Sequence, residues 1–436
     1  MKCVVLVPGI QGSVLETPGG DQVWPPKPSE VVLGYGRLSE LLREDLVSTD
    51  IIRKVSCLDV YEPLIDQING IGFTEGSATQ RLEIFHYDWR LDLEITARAL
   101  ADRLGALAAA GATEIAILAH SMGGLVARLV LEPETFRAEP WFDLVDTLFT
   151  LGTPHLGAPM ALVRILGLEG DLGISAADFR TYAADHRYPS AYQLLPAPGE
   201  DACWNLSDST LGPLDIYDMG DAQAVGLDPA LVARVAWVHQ SFAEGSQPPG
   251  VRYLFFGGAG HRTCTRINVA PGQVIPTLTD DAGDGTVPMW SAFGKATQKQ
   301  LVRGEHSKFF RREEFSAVLY RLFGQRFPTP PVAAAAMLDL SVQALVLRPN
   351  EEIELLILSP APTSAISGEV VVEFTADETA PFAPLGEPVP ISYEGAPVGQ
   401  LRVLLAPRPT PGHYRLSFAG SPSSGAPVLF SVVPGG

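Results

Sequence analysis

Residues 116–129 read AILAHSMGGLVARL. The apolar run from Glu114 to Ala119 predicts a strand, which breaks at Ser121; beyond Gly123 and Gly124 an apolar pattern of helical period resumes. A serine set between a strand and a helix, with small residues two positions before and two after it, is the pattern of a nucleophile elbow. The turn is so sharp that larger side chains at those positions would collide with the neighbouring strand and helix. Ala119 and Gly123 meet the requirement, in the form Ala-x-Ser-x-Gly where Gly-x-Ser-x-Gly is usual. The bland alternative is an ordinary strand, turn and helix with a buried serine.

Outward from this stretch, to about residue 325, short β-branched or apolar runs alternate with longer periodic segments. The runs are CVVLVPG (3–9), EIAILAH (114–120), DTLFTLG (146–152) and VRYLFFGG (251–258). Residues 92–111 predict a helix with Asp92 as N-cap, a stop at Gly111, and Ile95, Leu100, Leu104 and Leu107 on one face. Such alternation predicts an α/β fold, a mostly parallel sheet with helices on both faces. An insertion at about 160–250 reads as a helical cap. It holds DPALVARVAWVHQSF, where Asp228 and Pro229 suit the N-cap and first turn and Leu231, Val235, Val238 and Phe242 share a face. A proline-rich linker, RFPTPPVAAAAM (326–337), separates a domain of residues 1–328 from a second unit at 338–436. There short alternating runs between Gly and Pro predict an antiparallel, Ig-like β-sandwich, and the absence of Lys, Cys and Trp offers it little chemistry.

The chain has 436 residues and a formal charge of −19, which argues against a nucleic-acid partner because a phosphate polyanion would be repelled at long range. The first apolar run is too short for a signal peptide and no segment reaches transmembrane length. Cys3, Cys57, Cys203 and Cys264 are widely spaced, without a zinc pattern, and read as reduced thiols. The expected address is cytoplasmic.

An attacking serine needs a base. His120 is adjacent to it, but neighbours on a tight turn point apart, so a distant histidine is required. The chain order for this elbow is serine, acid, histidine. DDAGDGTVP (280–288) supplies Asp284 in a glycine-flanked loop and VRGEHSKFF (302–310) supplies His306 in a short polar one. Ser121 is thus the candidate nucleophile, His306 the base, and Asp284 the group that holds the ring. Asp280 and Asp281 are alternative acids, and His261 is a competing base disfavoured because it precedes them. A Ca²⁺ loop at Asp284 is a poor match, since the remaining ligand positions are Thr, Val and Pro. No metal or cofactor is expected. Oxyanion donors would be the backbone N–H of Met122 and that of Ile10, or Gln11, in the glycine-rich turn VPGIQGSVLE (7–16).

The stretches VLVPGIQGSVLE, FHYDWRLD, LAHSMGGLVAR, TLGTPHLGAP, GDGTVP and GEHSKFF follow the order and rough spacing of the lecithin:cholesterol acyltransferase family, which includes lysosomal phospholipase A2. The resemblance spans residues 1 to about 325. It implies an α/β-hydrolase fold, Ser121, Asp284 and His306 as triad, Ile10 and Met122 as oxyanion donors, and an acyl-enzyme route on lipid or phospholipid esters. The expectation is therefore a serine hydrolase of carboxylic esters that meets lipid substrate and contacts a membrane surface peripherally. An acyltransferase using the same acyl-enzyme and a non-catalytic binding module on a hydrolase fold stay open. Asp88 and Arg90 read either as a substrate clamp or as a buried pair fixing their loop; His155 reads as structural. The cap aromatics Phe179, Tyr182, Tyr188, Tyr192, Trp204 and Trp237 would suit a lipid-lined pocket or pack the cap onto the sheet.

Overall fold

Along the first strand, Val4 and Leu6 face one way and Val5 and Val7 the other, and all four are buried. A strand apolar on both faces needs cover on both, which is the condition of a parallel sheet inside an α/β fold. The computed structural model describes residues 1–433 except 28–29, 31–33, 56–57, 172, 208–211, 271–272, 295–297, 328–336, 345 and 377–379. Most of the proline-rich linker, and Cys57, lie outside the described residues. The main sheet comprises β1 (Lys2–Val7), β2 (Thr74–Glu75), β3 (Gln80–Ile84), β4 (Glu114–His120), β5 (Val145–Leu151), β6 (Arg252–Ala259) and β7 (Lys299–Arg303), in the spatial order β7-β6-β5-β4-β1-β3-β2. Every adjacent pair is parallel.

Two cores follow from the strand alternation. On one face Val4, Leu6, Ala116, Leu118 and Phe149 pack with Leu64, Ile65 and Ile68 of helix α1 (Glu62–Ile71). On the other, Val5, Val7, Ile115, Ile117 and Ala119 meet helix α2 (Leu93–Ala109) and helix α3 (Met122–Leu131). Helix α4 (Glu313–Leu322) joins the first face through Phe315 and Leu319. Asp92 caps α2 by accepting the Glu94 N–H. The expected buried face of α2 needs one correction: Ile95 is largely exposed, and the stripe is Leu93, Ala97, Leu100, Leu104 and Leu107. Five residues separate Ile95 from Leu100, well off a helical repeat, whereas 93, 97, 100, 104 and 107 keep steps of three and four.

Residues 160–250 carry the helices Ala176–Ala183, Met219–Val225 and Pro229–Glu244 and a 3₁₀ turn at Pro189–Leu194. Asp228 caps the longest of these, and its Leu231, Val235 and Val238 are buried as the periodicity requires. The region is not wholly helical. Cys203–Asn205 forms a strand beside His261–Ala270, which turns back antiparallel as Gln273–Gly283.

The C-terminal unit comprises β8 (Asp339–Val342), β9 (Val346–Leu347), β10 (Ile353–Thr375), β11 (Val389–Leu405), β12 (Gly412–Ser421) and β13 (Val428–Val432). The pairs are antiparallel except β9 with β13, which run parallel. The register of β10 against β11 shifts between Leu358 and Ala365, and both halves of β10 feed one core, with Leu355 and Ile357 from the first and Val370 and Val372 from the second. Among the described residues no helix is long and apolar enough to cross a membrane.

Candidate active site

Where β4 enters α3, Ser121 takes φ 52° and ψ −126°, a left-handed backbone that is unfavourable for any residue with a Cβ. The surroundings enforce it. The Ser121 N–H donates to the Leu151 carbonyl at 2.8 Å, and a Cβ at Gly123 would lie 2.5 Å from the Pro8 carbonyl oxygen. Gly9 and Gly124 are held to the same condition: Cβ atoms there would come within 2.8 Å of Ser121 Cβ and 2.0 Å of Thr153 Oγ1. The turn is therefore tight on four sides, and the strain leaves the serine Oγ facing outward beyond the carboxyl end of the sheet.

Three of the residues singled out from the sequence meet there. His306 Nε2 lies 2.9 Å from Ser121 Oγ, and His306 Nδ1 lies 2.8 Å from Asp284 Oδ2. Asp284 is fully buried, and its other oxygen accepts the backbone N–H groups of Thr286 and Val287 at 3.0 and 2.7 Å. A carboxylate only accepts, so the ring hydrogen sits on Nδ1 and Nε2 is left bare toward the serine hydroxyl. The His306 N–H also donates to the Asp284 carbonyl, at 2.9 Å, which ties the two loops together. Burial alone would lower the His306 pKa, but the charge and hydrogen bond of Asp284, helped by Glu305, raise it above the ordinary 6.5. The imidazole must be neutral to accept a proton. The rate constant kcat/KM for ester hydrolysis is therefore expected to fall as pH drops through a midpoint above 6.5. Glu305→Gln, which deletes part of the upward contribution, should move that midpoint to lower pH; a pH–rate profile checks it, and an upward move would contradict the assignment.

Ile10 and Gln11 line the same cavity as Ser121, and Met122 is the first residue of α3, where a backbone N–H has no acceptor within the helix. The other candidates are not brought to the serine. Asp280 and Asp281 lie 3.0 and 2.8 Å from the Arg402 guanidinium of the C-terminal unit. His261 is buried beneath that unit, with Nε2 3.2 Å from Ser341 Oγ. Arg90, fully buried, forms a two-pronged pair with Asp88, donates to the Leu41 and Arg43 carbonyls and lies under the Tyr188 ring, so it fixes a loop. His155 stacks on Phe255 at 3.9 Å and bonds Thr150; burial pushes its pKa well below 6.5. Of the six cap aromatics, Phe179 is the one among the described residues that lines the cavity. Tyr182 and Tyr188 instead spend their hydroxyls on Ser190 and on the Leu42 and Arg43 carbonyls.

His120 has a place that sequence reasoning did not assign. The Gly9 N–H donates to Tyr61 Oη at 2.9 Å, the Tyr61 hydroxyl meets His120 Nδ1 at 2.7 Å, and His120 Nε2 meets the His306 carbonyl at 3.1 Å. One relay thus links the turn bearing Ile10 to the loop bearing His306. Burial, with the charge of His306 second, pushes the His120 pKa down to about 3, so the ring stays neutral and keeps this polarity. Tyr61 is 59 residues away in the chain, and no local pattern marks it.

The sequence model of the lecithin:cholesterol acyltransferase family matches residues 43–212. That segment contains Ser121 and the start of the cap; Asp284 and His306 lie beyond it. Phospholipase A(1) LCAT3 of Arabidopsis thaliana is 22% identical over 319 residues, covering 61% of this chain and 70% of its own. The chain is an α/β-hydrolase similar to this family. An uncharacterized protein of Saccharomyces cerevisiae is 27% identical over 241 residues, or 52% of this chain, which spans only 34% of that protein's length. The fold is shared with a chain in the crystal structure of the Tle4–Tli4 complex, which superposes with a TM-score of 0.52 at 14% identity, covering 74% of the hydrolase and 98% of that chain.

Proposed function

We propose that this hydrolase cleaves carboxylic esters of lipids through an acyl-enzyme on Ser121. The observation that carries the reading is the unbroken hydrogen-bonded line from Ser121 Oγ through His306 to Asp284, opening on a cavity of about 250 Å³ walled by Met160, Ile174, Phe179 and Leu194. Ser121 Oγ attacks the ester carbonyl as His306 Nε2 takes its proton, and Asp284 stabilises the imidazolium. The Met122 and Ile10 N–H groups receive the charge that develops on the carbonyl oxygen. His306 returns the proton to the departing alcohol, which leaves Ser121 acylated. Water, deprotonated by the same ring, then releases the acid. No step calls for a metal or cofactor.

The apolar lining supports a lipid ester as substrate, and a relative named as a phospholipase A(1) supports a phospholipid among them. Such a substrate brings the enzyme to a membrane surface peripherally. Cys3, Cys203 and Cys264 are free and buried, which supports a reducing, cytoplasmic setting. The test is to supply a phospholipid with a long-chain alcohol and to measure free fatty acid against new ester. Free acid in excess, abolished in Ser121→Ala, is the expected result. New ester in excess would make the protein an acyltransferase, and neither product would return it to a binding module.

A further inference from the structure

The cavity over Ser121 is not walled by the hydrolase domain and its cap alone. Val346, Leu347 and Arg348 line it as well, and all three belong to the C-terminal unit. Val346 and Leu347 form β9, which is held in place by parallel pairing with Ser431 and Val432 of β13 and by the Val433 N–H donating to the Leu347 carbonyl at 2.9 Å. The two units meet through apolar contact. Val433 is buried in the same continuous apolar cluster as Ile174 and Phe179 of the cap, and Val346 packs against that cluster. Ile174 and Phe179 of the cap line the same cavity, and Arg348 reaches the cap by donating to the Leu168 carbonyl at 2.9 Å. The unit is anchored elsewhere by Arg402 on Asp280 and Asp281, by Ser341 on His261, and by Asp339 on Arg312.

Resting on the ester-hydrolase reading, we infer that the C-terminal β unit selects the substrate's aliphatic chain, with Val346 as the side chain that sets how much of it fits. Each methylene that leaves water for such a wall favours binding by about fourfold, and each that is refused forfeits it. A β-branched side chain has one strongly preferred torsion, and Val346 sits on backbone paired with β13, so its bulk acts as a fixed limit. The unit that offers little chemistry of its own thereby decides which esters reach Ser121.

The experiment uses the full chain, vinyl esters from acetate to laurate, and two variants. Because the alcohol is small, the acyl chain is the apolar part that must fill the cavity. Val346→Trp is expected to lower kcat/KM for laurate relative to acetate by about tenfold or more, and Val346→Ala to shift preference toward the longer esters. If the tryptophan variant fails to fold, the alanine variant still decides the matter. Ratios unchanged from wild type in the folded variants, with Ser121 still taking a fluorophosphonate label, would overturn the inference and leave the hydrolase reading standing. A wild-type protein that neither labels nor hydrolyses any of these esters would overturn the hydrolase reading itself, and the inference with it.

Discussion

Ser121→Ala is expected to remove nearly all hydrolysis of a short-chain aryl ester, a loss on the order of 10⁶-fold in kcat, and His306→Ala to remove about as much. The double variant loses little more than either single one. The reason lies in the geometry: Ser121 Oγ meets a single side-chain base, His306 Nε2 at 2.9 Å, so once either is gone the other has nothing to do. What should survive is the help that the proposed oxyanion donors, the Met122 and Ile10 amides, and the cavity give to attack by water. Steady-state kinetics on the three variants check this. Losses that multiply would mean that the two residues act independently and would break the triad.

Asp284→Asn is expected to cost about 10⁴-fold in kcat, while Asp280→Asn and Asp281→Asn should stay within about twofold of wild type. The asparagine oxygen must take the position that accepts the Thr286 and Val287 N–H groups, which turns the amide NH₂ toward His306 Nδ1. Nδ1 then has to accept, the ring hydrogen moves to Nε2, and the serine loses its proton acceptor. Asp280 and Asp281 face Arg402 instead, so their loss is felt at the contact with the C-terminal unit. The same assay run on all three variants separates the cases. A damaged Asp280 or Asp281 variant beside an active Asp284→Asn would mean that the acid is misassigned.

The pattern around Ser121 was readable because its constraints are local. A strand, a tight turn and a helix follow one another, and the small residues needed at 119 and 123 are visible within a few positions. Alternation of apolar runs and helical periods likewise carried the parallel sheet and the helices on both its faces. Asp284 and His306 could be picked out by chain order and loop composition, and the fold brings them to the serine. Features that depend on distant packing were not legible. Tyr61 and His120 meet only because α1 and β4 are neighbours in space. The antiparallel strands His261–Ala270 and Gln273–Gly283 carry polar and apolar residues without clean alternation, so no strand pattern marks them. The C-terminal unit was legible as a β fold with its own core, but a sequence pattern does not tell where such a unit docks. Its strand β9 pairs parallel to β13 and faces the cavity, a placement fixed by Val346 and Val433 against the main core. The cap aromatics left two readings open for a related reason: Tyr182 and Tyr188 spend their hydroxyls on Ser190 and on the Arg43 carbonyl, and only those partners show that they pack the cap and do not line the cavity.

In the proposed mechanism Ser121 is a nucleophile activated by His306. A fluorophosphonate reacts with such a serine and scarcely with an ordinary one, so mass spectrometry of the labelled, digested protein tests the claim directly. One phosphonyl adduct per chain is expected, on the peptide bearing Ser121, formed readily in wild type and almost not at all in His306→Ala. A wild-type protein that stays unlabelled, or an adduct that forms on Ser121 as fast without His306 as with it, would contradict it.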